Sequence, residues 1–130
     1  MSEQNVALWR SFAQQARAGE LYLDDEAAAR QVIAACKQRL DDLDRLRIIA
    51  TRCENVSGFG DFDMADVLAD KFLKQATGTD NSIDSIITKD IEVVKDMRDI
   101  MAISIARLKN QDYTNSATIT AIIDSVGEPQ

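Results

Sequence analysis

The sequence predicts an all-α protein, in which an antiparallel hairpin of long helices forms a helical bundle with a short N-terminal helix packed on it. Three observations support this fold class. The only proline is Pro129, so no internal residue removes a backbone donor from a helix. Apolar residues recur at steps of three and four over long stretches, as on one face of a helix. A segment with two glycines, residues 55–62, separates the two halves of this pattern and predicts a chain reversal.

The 130 residues are expected to form one domain, 1–130, that begins with a short amphipathic helix over residues 6–18. Trp9 and Ala13 share one face at helical spacing, and Gly19 is a suitable residue to end the helix. Trp9 is the only tryptophan, and we interpret it as the anchor that packs this helix on the hairpin.

A long helix is predicted over residues 24–54, with Asp24 or Asp25 as its N-cap. Its apolar residues keep a near-heptad spacing over four repeats, which predicts one buried seam. The seam consists of Ala29, Ile33, Cys36, Leu40, Leu43, Leu46, Ala50 and Cys53. Two members, Cys36 and Cys53, lie roughly 25 Å apart along a helix, beyond the reach of a disulfide. We interpret both as small apolar core residues, with an intermolecular disulfide as the alternative.

The second half of the chain is predicted to be helical over residues 63–77 and 82–112, after the turn at residues 55–62. The helix over residues 82–112 is apolar on two sides and therefore needs two partners. One partner is expected to be the helix over residues 24–54, and the other is either the N-terminal helix or another molecule. Residues 113–130 are predicted to be a tail, in which a stretch rich in Thr and Ile can form one or two helical turns.

Composition argues against several classes of function. A net charge of -7 disfavours a nucleic-acid groove or a site for an anionic membrane surface, because both need a basic face. The chain has no histidine, which is the commonest general base and metal ligand near neutral pH. No apolar run has the length of a membrane span, about 20 residues, or that of a signal peptide. We therefore expect a cytoplasmic location, or secretion without a cleaved signal peptide.

No group of residues carries recognisable chemistry, so the chain is predicted to be non-enzymatic, with no catalytic, cofactor-binding or metal-binding residue. The acidic run from Asp61 begins like a calcium loop. However, Asp66 stands where glycine is required, and Phe72 stands where the bidentate glutamate belongs. Helix capping is the preferred interpretation of these aspartates.

Three residues of the turn, Gly58, Phe59 and Gly60, are predicted to bind a protein partner. Phe59 is expected to be partly exposed at the hairpin tip, because a tight turn leaves little room to bury the ring in its own hairpin. The alternative is that Phe59 folds back over the helix that carries Trp9. The partner is expected to be a helical hairpin protein or a second copy, which gives a homo- or heterodimer.

The order of helix, turn with one aromatic between glycines, and second helix resembles the plan of the WXG family. These are small helical hairpins exported by type VII secretion systems in actinobacteria and Gram-positive bacteria. Here Gly58-Phe59-Gly60 stands where that family carries Trp-X-Gly. The chain is also similar to a larger group of actinobacterial secretion-associated proteins, in which a short helix and a link like Gly19-Glu20-Leu21 precede the hairpin.

The resemblance implies a secretion-associated hairpin, either a secreted substrate or a partner of one. The family's export signal is Tyr-X-X-X-Asp/Glu after the second helix, and Tyr113 stands in about that place. Ala117 stands where the acid belongs, so export is expected to depend on a partner. The alternative function is a cytosolic helical adaptor or regulatory interaction protein that shares the architecture.

Overall fold

A computed structural model of the chain describes residues 3–53, 71 and 82–127. This part of the chain is helical and contains no strand, so the predicted all-α class is confirmed. The helices with described bounds are α1 (Glu3–Arg17), α2 (Glu26–Cys53), α3 (Ile83–Leu108) and α4 (Ser116–Ser125). The predicted turn over residues 55–62 and the helix predicted over residues 63–77 lie outside the described residues, apart from the helical residue Lys71.

The two long helices, α2 and α3, pack side by side in antiparallel directions. Ala29 near the start of α2 lies in one core cluster with Ile105 near the end of α3. Ala50 near the end of α2 lies in another cluster with Ile87 near the start of α3. Because the order of contacts reverses between the two helices, they form the antiparallel pair that the sequence predicts.

The N-terminal helix α1 packs along a different side of α3, and the two helices run in the same direction. Ala13 and Ala16 are fully buried against Ile100 and Ile103 of α3. The contacts of α3 with α2 and with α1 account for its apolar character on two sides. Of the two alternatives for its second partner, the N-terminal helix is the one observed.

Short polar signals set the ends of the long helices. The carboxylate of Asp25, rather than that of Asp24, accepts a hydrogen bond from the N–H of Ala28 at 3.0 Å and caps α2. The hydroxyl of Ser82 accepts one from the N–H of Ser85 at 3.1 Å and caps α3. Helix α3 ends earlier than the predicted residue 112, because Asn110 adopts a φ of 57°. Asparagine tolerates this left-handed conformation, which terminates a helix.

Residues 113–130 differ from the predicted tail, because they contain helix α4. The side chain of Asn115 accepts hydrogen bonds from the N–H groups of Ala117 and Thr118 at 2.8 and 3.3 Å and caps the helix. Ile122 and Val126 are buried in the cluster formed by the facing ends of α2 and α3. Propensity alone is weak in this Thr-rich stretch, and burial against two other helices stabilises it.

Gly19 ends α1 as predicted, and its position leaves no room for a side chain. Its φ is +80°, and a Cβ at this residue would lie 2.7 Å from the hydroxyl of Tyr113. Its N–H and that of Glu20 donate to the carbonyls of Ala16 and Gln15 at 3.1 and 2.9 Å, which is the usual glycine-terminated end of a helix.

Replacement of Gly19 by alanine is therefore expected to lower the free energy of unfolding by about 1–3 kcal/mol, through backbone strain and displacement of Tyr113. The measurement is urea unfolding followed by circular dichroism. Gly127→Ala is the matched control, because nothing lies within 4 Å of a Cβ at that residue. Equal stability of the two variants would contradict the described packing of Gly19.

Candidate functional site

The predicted partner-binding residues, Gly58, Phe59 and Gly60, lie outside the described residues. Within the described part, the most distinctive surface feature is a pair of apolar grooves along α3. We name them the Met97 groove and the Met101 groove after the methionine of α3 that lines each one.

The Met97 groove lies between α2 and α3 and has a volume of about 430 Å³. Small and aliphatic side chains beside the buried seam of α2 form most of its walls. The lining residues are Ala28, Gln31, Val32, Ala35, Cys36, Arg39, Val94 and Met97. Alanines on the α2 side leave a depression here, because a larger side chain at Ala28 or Ala35 would cover the junction of the helices.

The Met101 groove lies between α1, the link after α1, and α3, and has a volume of about 260 Å³. It is lined by Trp9, Phe12, Leu21, Tyr22, Leu23, Ile100 and Met101. The rings of Trp9 and Phe12 meet edge to face, with their centroids 5.4 Å apart. The link is held in place because the N–H of Leu23 donates to the hydroxyl of Ser104 at 2.9 Å.

Met97 and Met101 stand four positions apart on α3, so their side chains are neighbours on the helix surface, although the two grooves share no lining residue. We call the two grooves together the Met97–Met101 strip; α2 borders it at the first groove and α1 borders it at the second. Methionine side chains are flexible and polarisable, and are common on surfaces that bind varied apolar partners. The strip can therefore take up an apolar ligand surface.

A second apolar surface lies at the other end of the α2–α3 pair, around the contact of Ala50 with Ile87. Leu46 and Ile49 of α2 are 44% and 53% exposed there. Ile83 and Ile86 of α3 are 47% and 46% exposed. Large aliphatic side chains exposed together on two packed helices are typical of a surface that contacts another element.

The exposure of Leu46 corrects the predicted seam, in which Leu46 was a buried member. In a straight α-helix, residues seven positions apart are offset by about 20° around the helix axis. A heptad seam therefore rotates gradually away from a straight partner helix. Along α2 the residue that reaches α3 at this level is Arg47, whose guanidinium donates to the hydroxyl of Thr88 at 3.4 Å. Leu46 is thus turned away from the contact.

Cys36 behaves as the predicted small core residue. It is buried in the α2–α3 cluster, and this burial raises the pKa of its thiol to about 11. A thiol with this pKa stays protonated near neutral pH and is a poor nucleophile. The side chain of Cys53 lies outside the described residues.

Polar contacts fasten the link and α1 to α3. The guanidinium of Arg107 donates to the carbonyl of Gly19 at 2.6 Å and lies over the rings of Tyr22 and Tyr113. Nearer the start of α1, Arg10 is bonded to the buried carboxylate of Asp96 at 3.0 Å. The hydrogen bond to Asp96 is the main reason that the pKa of Arg10 is raised above its usual value.

Across residues 3–53, 71 and 82–127, no three acidic or cysteine side chains gather in a way that could hold a metal ion. None of the helices described here is long and apolar enough to cross a membrane.

Sequence reasoning did not identify Val32, Met97 or Met101 as residues of an apolar strip. The available signal was two methionines four positions apart on α3, together with alanines at positions 28 and 35 of the facing helix. Comparisons with protein-family models, with curated proteins and with solved structures gave no match.

Proposed function

We propose that this chain is a non-enzymatic protein that binds a helical partner through the Met97–Met101 strip, in association with type VII secretion. In that role it is a secreted substrate or the partner of one. The observation that carries the binding role is the open apolar strip on α3, which α1 and α2 border. A helical partner commonly docks with its apolar face in a hydrophobic groove of this kind.

An amphipathic helix is the partner element that fits the strip. Such a helix presents apolar anchors on successive turns, about 5.4 Å apart along its axis. Met97 and Met101 are themselves one turn apart, so anchors from a helix aligned with α3 would reach both grooves. The partner is either another helical hairpin protein or a second copy, and the complex is a hetero- or homodimer.

The secretion role is supported by the resemblance to WXG-type hairpins at Gly58-Phe59-Gly60 and by the Gly19-Glu20-Leu21 link before the hairpin. The antiparallel α2–α3 pair is compatible with that plan. Since Ala117 replaces the acid of the export signal, we propose that export depends on a bound partner.

A cytosolic helical adaptor is the second candidate, and the position of Tyr113 favours it. The ring packs against two core clusters and lies 5.4 Å from the guanidinium of Arg107. A tyrosine whose ring is packed in this way is poorly accessible to a secretion apparatus that would bind it as an export signal.

The test is to express the tagged chain in its native host, with and without the ATPase of the secretion system. Wild-type chain is expected in the culture filtrate only when the ATPase is present. Ala35→Glu places a charge in the Met97 groove at an exposed position, and is expected to reduce export at least tenfold through loss of the partner. Ala27→Glu is the control, because Ala27 is exposed on the same helix outside the groove.

The outcomes separate the candidates. Equal amounts in the filtrate with and without the ATPase would rule out the type VII route. Retention in the cell, together with partner binding that Ala35→Glu weakens, would favour the adaptor. Export and partner binding of Ala35→Glu at the wild-type level would show that the strip is not the binding surface.

A further inference from the structure

A separate cavity of about 290 Å³ lies where α4 packs against α3 beside the end of α1. Three isoleucines of α3 and α4 form its apolar part, namely Ile103, Ile119 and Ile123. Two cations also line it, Arg17 from α1 and Arg98 from α3. We name it the Arg17 cavity, and it shares no lining residue with either of the two apolar grooves.

The charged groups of the Arg17 cavity do not cancel. Asp99 is the one acidic side chain among the described residues that line it, and its carboxylate lies against both guanidiniums. Two positive charges and one negative charge leave this group with one positive charge in excess. The chain as a whole carries a net charge of -7, which repels anions in general. The cavity therefore offers a local positive charge on an acidic protein.

Of the two cations, Arg17 is the one whose donors suit a further anion. The guanidinium of Arg98 is held by Asp99, to which it donates at 3.1 and 3.0 Å. The guanidinium of Arg17 lies 3.6 Å from the same carboxylate, which is beyond the usual range of a hydrogen bond. Its side chain is 49% exposed, so it can meet an entering anion without losing a hydrogen bond to Asp99. The planar fork of a guanidinium matches a carboxylate in shape.

The rest of the lining favours an amphiphilic ligand of small size. Ser116 and Thr120 bring hydroxyl donors to the wall that α4 forms. The isoleucines favour an aliphatic or aromatic body, because they offer no polar atom. At about 30 Å³ for each water-sized group, the cavity holds roughly ten non-hydrogen atoms. This size is near the lower limit for pockets that bind small molecules.

We propose that the Arg17 cavity binds a small monocarboxylic acid, with the carboxylate beside Arg17 and the apolar body against the three isoleucines. A single negative charge complements the one positive charge that Arg17, Arg98 and Asp99 leave together. A phosphate dianion would leave the site negative and is less well matched. The site uses α1, α3 and α4 as the structure arranges them, and no helix has to move. It is independent of the proposed function, which concerns the strip.

Octanoate is the probe, because one carboxylate and a short alkyl chain match the charge and the size of the cavity. Octanol, which carries the same length of chain without the carboxylate, is the neutral counterpart. Binding is followed by the shifts of backbone amide signals in isotope-labelled protein. Octanoate is expected to give saturable shifts at residues 98–103 and 116–123. Octanol is expected to bind about tenfold more weakly, because it cannot make charge-assisted hydrogen bonds.

Replacement of Arg17 by glutamine tests the role of the cation. Arg17→Gln is expected to weaken octanoate binding about tenfold and to leave octanol binding unchanged. The variant is expected to keep the wild-type circular dichroism, because an exposed ion pair contributes little to stability. Arg45→Gln is the matched control, since it makes the same change of charge at an exposed position of α2. It is expected to bind octanoate as the wild type does.

Equal affinities of the wild-type chain for octanoate and octanol would overturn the proposal, because the carboxylate would then not be recognised. No saturable binding of octanoate at millimolar concentration would overturn it as well. Octanoate shifts confined to residues of the apolar grooves, such as Leu23 and Val32, would place the ligand elsewhere and overturn it too. The comparison of the two probes uses the wild-type chain, so the test does not depend on the folding of a variant.

Discussion

Ile33→Ala is expected to lower the free energy of unfolding by about 2–5 kcal/mol, which is the usual cost of a large-to-small change in a packed core. Ile33 is fully buried in the cluster where α2, α3 and α4 meet, beside Ile105 and Ile122. Removal of three methyl or methylene carbons leaves a cavity between three helices, and none of them can close it without losing contacts elsewhere. The measurement is urea unfolding followed by helical circular dichroism.

Ile48→Ala is the matched control on the same helix. Ile48 is 54% exposed, so the same chemical change is expected to alter the free energy of unfolding by no more than about 0.5 kcal/mol. If the two substitutions cost the same, Ile33 does not occupy the three-helix junction described here.

Lys37→Met is expected to lower the free energy of unfolding by about 1.5–3 kcal/mol and to loosen α4 selectively. The ammonium of Lys37 donates to the carbonyls of Ile123 and Val126 at 3.2 and 2.6 Å. Carbonyls at a helix C-terminus carry partial negative charge, so a cation stabilises them, and the carbonyl of Ile123 also accepts a hydrogen bond from the N–H of Val126. Methionine keeps an apolar stem of similar length and removes the charge.

Amide hydrogen exchange over α4 distinguishes this effect from a general loss of stability. Exchange in residues 116–125 is expected to accelerate more than exchange in α2 or α3. Lys95→Met is the control, because Lys95 is exposed on α3 and has no such role. Unchanged exchange in α4 would mean that Lys37 does not hold this helix against α2.

The positions of the long helices were predictable because their signals are local. Apolar spacing identified α2 and α3, and Asp25, Ser82 and Gly19 mark helix ends through hydrogen bonds or conformations within a few residues. Such contacts depend on neighbours in sequence and can be anticipated without the fold. The burial of Cys36 was predictable in the same way, from its place in a seam with residues on either side.

Helix α4 and the exposure of Leu46 were not predictable to the same degree, because residues far along the chain decide both. Helix α4 is held by Lys37, 86 positions before Ile123. Leu46 belongs to a regular apolar spacing, but the residue that bonds to α3 at this level is Arg47. The apolar strip is also a product of packing, since it consists of what α1 and α2 leave uncovered on α3.

The sequence by itself determined the helical class and the approximate extents of the two long helices. The tertiary structure decided that α1 lies parallel to α3, which side of α3 each helix covers, and that Met97 and Met101 remain open between them. The physical reason is that periodicity along a chain identifies an apolar face without naming its partner. The choice of partner depends on side-chain size, on charge pairing such as Arg10 with Asp96, and on the short link that holds α1 to the end of α3.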